Sequence, residues 1–114
     1  MTLLIADEQR ARLLANGQVR IEDRTDLAPV VRLFTPDAHA TWLLVSLEPE
    51  DGDTAYGLCD VGIGMPELGP VRLSALASVV GPRGRPIVCD RQFAARRSLS
   101  EYFRLAVENG SITD

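Results

Sequence analysis

The chain has 114 residues, 46% of them hydrophobic, and a formal charge of −4. This length and balance predict a single compact domain over residues 1–114. No apolar run reaches the roughly 18 residues of a membrane-spanning helix, and the first residues lack the basic region and long apolar stretch of a signal peptide. We therefore expect a cytoplasmic protein with no membrane partner.

Several kinds of chemistry are excluded by composition. All 12 basic residues are arginine, so Schiff-base chemistry and the phosphate-binding lysine of Walker-type loops are absent. The single histidine, His39, excludes metal sites that need several imidazoles. Two cysteines, Cys59 and Cys89, are too few for a disulfide scaffold, and free buried thiols are their simplest interpretation. We expect no cofactor.

The charges are sorted along the sequence. Residues 33–71 contain seven acids and no arginine, whereas residues 72–104 contain seven arginines and two acids. Two interpretations stay open. The stretches either lie side by side and neutralise one another through weak surface pairs, or form two faces of opposite sign that orient a charged partner.

The first half of the chain predicts one helix and a run of strands. Asp7 is a suitable cap for a helix that runs to Ala15, and Gly17 would end it in the left-handed conformation. Residues 18–28 are polar and aperiodic. Strands at 29–34 and 41–47 predict a hairpin, and the second strand is apolar on both faces, so we expect it to be covered on both sides.

The next stretch extends this meander. An acidic turn at 48–53 precedes a strand at 54–61. The glycine-rich residues 62–69 predict a bend, in which glycine serves the backbone angles rather than a phosphate-binding loop. A fourth strand is predicted at 70–73.

The last third predicts shorter elements. Ser74 begins a short helix that ends at Val80, and an edge strand lies at 87–90 after a turn. Ser98 begins the last helix with capping-box spacing, and Gly110 ends it. The order of elements predicts an α+β fold, a mostly antiparallel sheet with an N-terminal helix, a short middle helix and a C-terminal helix packed on it. We expect the helices on one face of the sheet.

Four segments carry specific motifs: LFTPDAHATWLL at 33–44, YGLCDVG at 56–62, PELG at 66–69 and LSEY at 99–102. Nearly end to end, the chain resembles the bacterial family labelled domain of unknown function 2958. The family has no established activity. The resemblance implies a setting on plasmids, integrated conjugative elements and phage-like islands, where small acidic proteins act on host defence or DNA transfer.

The leading hypothesis is a non-enzymatic interaction protein that presents an acidic face to a protein partner in host defence or DNA processing, as an inhibitor or adaptor. Four acids form the predicted face: Asp37, Glu50, Asp51 and Asp53. Their carboxylates would imitate phosphates toward a basic groove of the partner.

The alternative is nucleic-acid binding through an arginine-rich segment around Phe93. Its members are Arg83, Arg85, Arg91, Arg96 and Arg97. Guanidinium forks suit phosphate groups, and an aromatic ring suits stacked bases. An acidic chain holds DNA only weakly by charge, so an arginine surface that pairs with the acidic hairpins is an equally open interpretation.

The second alternative is a metal-assisted hydrolase built on Asp60, Glu67 and Asp90, because carboxylate oxygens bind Mg²⁺ or Ca²⁺. Their spacing does not require a metal, and turn formation explains acids such as Asp90. Cys59 with His39 as nucleophile and base is formally allowed, but a core thiol and an exposed imidazole are the simpler interpretation. We expect no catalytic residue and no metal site.

Overall fold

The computed structural model of the protein describes residues 4–112. In that part of the chain, five strands form one antiparallel sheet in the spatial order β4-β3-β2-β1-β5. The strands are β1 (Val31–Phe34), β2 (Thr41–Leu47), β3 (Thr54–Asp60), β4 (Glu67–Arg72) and β5 (Val88–Cys89). The helices are α1 (Asp7–Asn16), α2 (Leu73–Ala77) and α3 (Leu99–Asn109), with a 3₁₀-helix at Ile21–Asp26. The predicted α+β fold is confirmed.

No helix between residues 4 and 112 combines the length and the apolar character that crossing a membrane requires.

The helices cover both faces of the sheet, so the expectation that they share one face is wrong. Leu43 of β2 packs with Tyr102 of α3 on one face. On the other face, Leu44 packs in a cluster with Leu13 of α1 and Leu76 of α2. Successive side chains of a strand point to opposite faces, so the unbroken apolar run of β2 requires cover on both. The prediction that β2 is covered on both sides is confirmed.

A bulge in β2 keeps its last apolar residue in the core. The register with β3 shifts between Leu44 and Ser46, so that Val45 is the extra residue. In a regular strand without a bulge, Leu44 and Leu47 are three residues apart and would lie on opposite faces. Instead both leucines belong to the cluster beneath α1 and α2.

The end of α1 packs closely against β2. Gly17 has a φ of −66°, so the predicted left-handed stop is wrong. A Cβ at this position would lie 2.0 Å from the carbonyl oxygen of Leu47, and glycine is therefore required by close approach of the two backbones. The cap of α1 is Ala6 rather than Asp7, which lies in the first turn.

Arg24 ties the 3₁₀-helix to β2, in a stretch where no regular structure is predicted. Its guanidinium is buried and donates to the carbonyl oxygens of Gly17 and Val19, both at 2.9 Å. It also donates to the hydroxyl of Ser46 at 3.3 Å and to the carboxylate of Glu48 at 2.5 Å. Such pairing is what allows a charge to be buried, and it removes Glu48 from the free acidic surface.

The elements after β3 differ from prediction mainly in their ends. β4 begins at Glu67, which pairs with Cys59, so the last three residues of the bend predicted at 62–69 are strand. α2 ends at Ala77 rather than Val80. β5 is confirmed as an edge strand, although it has only two residues.

Both predicted ends of α3 are confirmed. The side chain of Ser98 accepts the N–H of Glu101 at 3.3 Å. Gly110 ends the helix in the left-handed region, with a φ of +77°.

Candidate functional site

Asp37 holds the loop 81–86 against the turn between β1 and β2. One oxygen of its carboxylate, Oδ2, accepts the main-chain N–H of Arg83 at 2.8 Å and that of Arg85 at 3.4 Å. The other oxygen is buried and lacks a partner within the described chain. A Cβ on Gly81 would lie 1.7 Å from this second oxygen, so the loop closes tightly around the carboxylate.

Two further acids of the predicted face organise the turn between β2 and β3. Asp51 Oδ1 accepts the N–H groups of Asp53 and Thr54, both at 2.9 Å, and its Oδ2 accepts the Thr54 hydroxyl at 2.7 Å. These bonds, with the Thr54 N–H as the largest contributor, lower the pKa of Asp51 to about 2. Asp53 accepts the N–H and hydroxyl of Ser74 and thereby caps the first turn of α2.

The four acids of the predicted face do not form one edge. Asp37 lies in the turn before β2, whereas Glu50, Asp51 and Asp53 lie in the turn after it. A strand rises about 3.3 Å per residue, so the seven residues of β2 separate the two turns. The expectation of a single acidic edge is therefore wrong, and partner binding by the turn that contains Glu50 stays a prediction.

The arginine segment is open to solvent. Arg83, Arg85, Arg91 and Arg96 are exposed, and the half-buried Arg97 places its guanidinium 5.8 Å from the centre of the Tyr102 ring. Between residues 4 and 112, none of these five guanidinium groups lies within 4.0 Å of a carboxylate.

The acidic and basic stretches do not neutralise one another through ion pairs. The described pairs are Arg20–Glu22, Arg24–Glu48, Arg32–Asp90 and Arg104–Glu108. No pair among these joins an acid of 33–71 to an arginine of 72–104. Where Asp37 meets the arginine stretch, it accepts main-chain N–H groups of Arg83 and Arg85 rather than pairing with their guanidinium groups.

Asp60 is a structural acid. Its side chain is almost fully buried, and its two oxygens accept the N–H groups of Gly62 and Ile112, both at 2.9 Å. It thus anchors the segment that follows α3 to the end of β3. Each oxygen thus already accepts one main-chain N–H group, and the carboxylate holds two separate segments of the chain together.

Asp60, Glu67 and Asp90 do not converge. Glu67 pairs with Cys59, the neighbour of Asp60, so the two carboxylates point to opposite faces of the sheet. Asp90 lies beyond β5 at the far edge and bonds to Arg32 at 3.2 Å. The part of the chain that the structure describes contains no group of three His, Cys, Asp or Glu residues placed to hold a metal ion. The predicted three-carboxylate site is wrong.

Both thiols are free and poorly suited to nucleophilic chemistry. Burial, and to a lesser extent the charge of Glu67, raise the pKa of Cys59 to about 11. Burial also raises the pKa of Cys89. A thiol with a raised pKa is protonated at neutral pH, and the thiolate is the reactive form. His39 is exposed, and no hydrogen bond within 4–112 joins it to Cys59.

The β3–β4 loop (61–66) exposes three apolar side chains. The exposed fractions are 55% for Val61, 69% for Ile63 and 63% for Met65. Gly62 and Gly64 alternate with them at φ values of +84° and +78°, which residues with side chains rarely adopt. The glycines thus bend the loop without covering their neighbours.

A hollow of about 150 Å³ lies beside these side chains and is completed by Cys59 and Glu67. Glu67 is exposed, so a negative charge borders the apolar surface. The arrangement combines an apolar protrusion with one acid at its edge.

A family model matches residues 4–113, almost the whole chain, under the description Protein of unknown function (DUF2958). The chain belongs to the DUF2958 family. The resemblance of its motifs is thereby confirmed. Comparisons of this DUF2958 protein with curated proteins and with solved structures give no match.

Sequence reasoning missed the apolar surface of this DUF2958 protein. The prediction that Gly62 and Gly64 serve the backbone angles is confirmed, but it left their neighbours unexplained. The signal is the alternation of apolar residues with glycine at 61–65. Because glycine has no side chain, a loop of this pattern has nothing of its own with which to bury Ile63.

Proposed function

We propose that this DUF2958 protein is a small non-enzymatic interaction protein that binds a protein partner through the β3–β4 loop. The observation that carries the proposal is the exposure of Val61, Ile63 and Met65 side by side. Contiguous exposed apolar surface on a folded domain marks contact sites. Burial in a partner's groove stabilises a complex by about 25 cal/mol per Å² of apolar surface removed from water.

The proposal includes no catalytic role because the candidate reactive side chains are hydrogen-bonded within the fold or protonated at neutral pH. Both oxygens of Asp60 are engaged by main-chain N–H groups, and the thiols of Cys59 and Cys89 have raised pKa values. The partner that we propose belongs to a host-defence or DNA-processing complex in the cytoplasm. This context rests on the mobile-element setting that the family resemblance implies.

The test of the loop is capture of partners from the native host, followed by titration of the purified partner. The variant with Val61→Ser, Ile63→Ser and Met65→Ser should bind at least about tenfold more weakly, because its apolar contact is lost. A matched control changes Ile21→Ser, Val80→Ser and Val107→Ser, which are similarly exposed elsewhere. The proposal would be contradicted if the loop variant and the control variant bound the partner equally weakly, or if the loop variant bound it as tightly as the wild type.

The acidic turn is proposed as an electrostatic contact that guides a basic partner. Glu50→Arg is the sharpest test, because Asp51 and Asp53 hold the turn and α2 in place. The substitution should slow association at low salt and leave the stability of the protein unchanged. An association rate equal to that of the wild type would remove the acidic turn from the proposal.

The second candidate function is nucleic-acid binding, favoured by the unpaired arginines. It predicts that affinity for a short DNA duplex or single strand falls steeply as salt rises. The double variant Arg96→Ala, Arg97→Ala should weaken binding, whereas Arg12→Ala, Arg20→Ala should not. Binding that is insensitive to salt, or equally weak in both double variants, would exclude this candidate.

A further inference from the structure

A groove runs along β5 at the open edge of the sheet. It consists of two adjoining hollows of about 400 and 380 Å³, which share Leu4, Cys89 and Arg91 as lining residues. One wall is the beginning of α1, and the other is the segment from Pro86 through β5. Cavities of this size accommodate small ligands or a few residues of an extended peptide.

The floor of the groove is apolar and firmly held. Ile5 and Ile87 line it and are only 7% and 5% exposed, as members of the core cluster beneath α1 and α2. Ala77, at the end of α2, lines the first hollow and is exposed. An aliphatic side chain placed in the groove would therefore meet a preformed surface.

Among residues 4–112, no main-chain hydrogen bond is made on the side of β5 that faces away from β1. The N–H of Asp90 donates to the carbonyl oxygen of Arg32 at 2.8 Å. In an antiparallel ladder, alternate residues of a strand face the same neighbour. The main-chain N–H and carbonyl groups of Val88 and Asp90 therefore point toward β1. Those of Cys89, between them, point away from β1, toward the open edge.

Charge distinguishes the two hollows of the groove. Arg91 lines both hollows, is exposed, and has no carboxylate within 4.0 Å among residues 4–112. Glu8 lines only the second hollow. A ligand that matches this pattern carries a negative group beside Arg91 and none beside Glu8.

We propose that this groove binds an extended peptide segment of a partner protein, which adds to β5 as a further strand. Main-chain bonds to Cys89 provide alignment, an aliphatic side chain enters the hollow above Ile87, and a carboxylate of the peptide pairs with Arg91. In this mode of peptide binding, main-chain hydrogen bonds to the edge strand provide affinity, and pockets for alternate side chains provide specificity. The groove is a surface separate from the β3–β4 loop, so either proposal can fail without the other.

The test begins with selection of random decapeptides on the full-length protein. The enriched peptides should place an aliphatic residue two positions from an acidic residue or from the C-terminal carboxylate, because side chains of a strand alternate. A synthetic enriched peptide is then titrated against variants. Arg91→Gln should weaken binding about tenfold or more, as expected for a lost charge-assisted bond, whereas Arg83→Gln should not.

Two further measurements separate strand addition from other contacts. Ala77→Trp fills the first hollow and should abolish binding, whereas Ala75→Trp, on an exposed position of the same helix, should not. The amide hydrogen of Cys89 should exchange more slowly when the peptide is bound. Peptides without a common pattern, binding that survives Arg91→Gln and Ala77→Trp, or unchanged exchange at Cys89 would each overturn the proposal.

Discussion

Asp51 shows that an exposed carboxylate can be committed to structure. Its two oxygens accept three hydrogen bonds from Asp53 and Thr54, which is why its pKa falls from 3.8 to about 2. A group whose pKa is lowered by folding stabilises the native state above its unfolded pKa, and this contribution is lost as pH falls through the folded value.

The pH dependence of stability tests this role of Asp51. The difference in unfolding free energy between the wild type and Asp51→Ala should be constant from pH 7 to about pH 4. It should shrink as pH falls from 4 toward 2, because the wild-type carboxylate becomes protonated. Denaturant titration at several pH values measures this difference in unfolding free energy, and Glu50→Ala serves as the control. A difference that stays unchanged down to pH 2 would contradict the role.

Gly81 and Asp37 form one unit, and the glycine is needed for space. Gly81→Ala would place a Cβ 1.7 Å from the carboxylate of Asp37, which would have to leave its bonds to the N–H groups of Arg83 and Arg85. We expect a loss of about 1–3 kcal/mol in unfolding free energy. Asp37→Ala should cost a similar amount, and the double variant little more, since both remove the same bonds. Additive costs would show that the two residues act separately.

At the scale of elements, Arg24 links separate segments of the chain by contacts that no local sequence pattern predicts. The arginine joins the 3₁₀-helix, the end of α1 and β2 through four acceptors. Arg24→Met should lower the unfolding free energy by about 3–5 kcal/mol, because the carbonyl groups and Glu48 lose their partner. As a control, Arg20→Met removes an exposed ion pair with Glu22 and should change the unfolding free energy by less than about 1 kcal/mol. Similar small effects of both substitutions in chemical denaturation would refute this role of Arg24.

The two edge strands are protected in different ways against pairing with the whole sheet of a second molecule, which differs from the binding of a short peptide. In β4, the N–H of Leu73 donates to the carbonyl oxygen of Asp53, so alternation directs Pro70 toward the open edge. Proline has no N–H, and this edge therefore lacks a donor at its middle. β5 offers only two residues. Short strands and edge prolines both limit association between sheets.

For the whole molecule, β2 makes the two halves of the core interdependent. Leu43 and Leu44 are neighbours in sequence but fully buried in different clusters, beneath α3 and beneath α1 with α2. The prediction of a single domain over residues 1–114 requires both clusters to unfold together. Leu43→Ala and Leu44→Ala should each cost about 2–5 kcal/mol and keep a single calorimetric transition. Two separate transitions in either variant would make the single-domain prediction wrong.

Where sequence patterns predicted the structure well, the interactions are local. Ser98 and Gly110 lie at the ends of α3 because capping depends on residues three or four positions away. The apolar run of β2 predicted a central strand. The prediction that the helices share one face of the sheet is wrong, because the order of elements does not indicate on which side of the sheet each helix packs. The start of β4 was missed because Pro66 and Gly69 indicate a bend more strongly than Leu68 indicates a strand.

The sequence by itself determined the α+β class, the central position of β2, the family, and the lack of lysine and of multiple histidines. Tertiary structure alone decided which charged groups are free. Asp53, Asp37 and Asp60 accept N–H groups that lie 21, 46 and 52 residues away along the chain, and packing rather than local sequence brings those donors near. Within residues 4–112, the same packing leaves the five arginines of the segment 83–97 without a carboxylate partner and the apolar side chains of the β3–β4 loop in solvent.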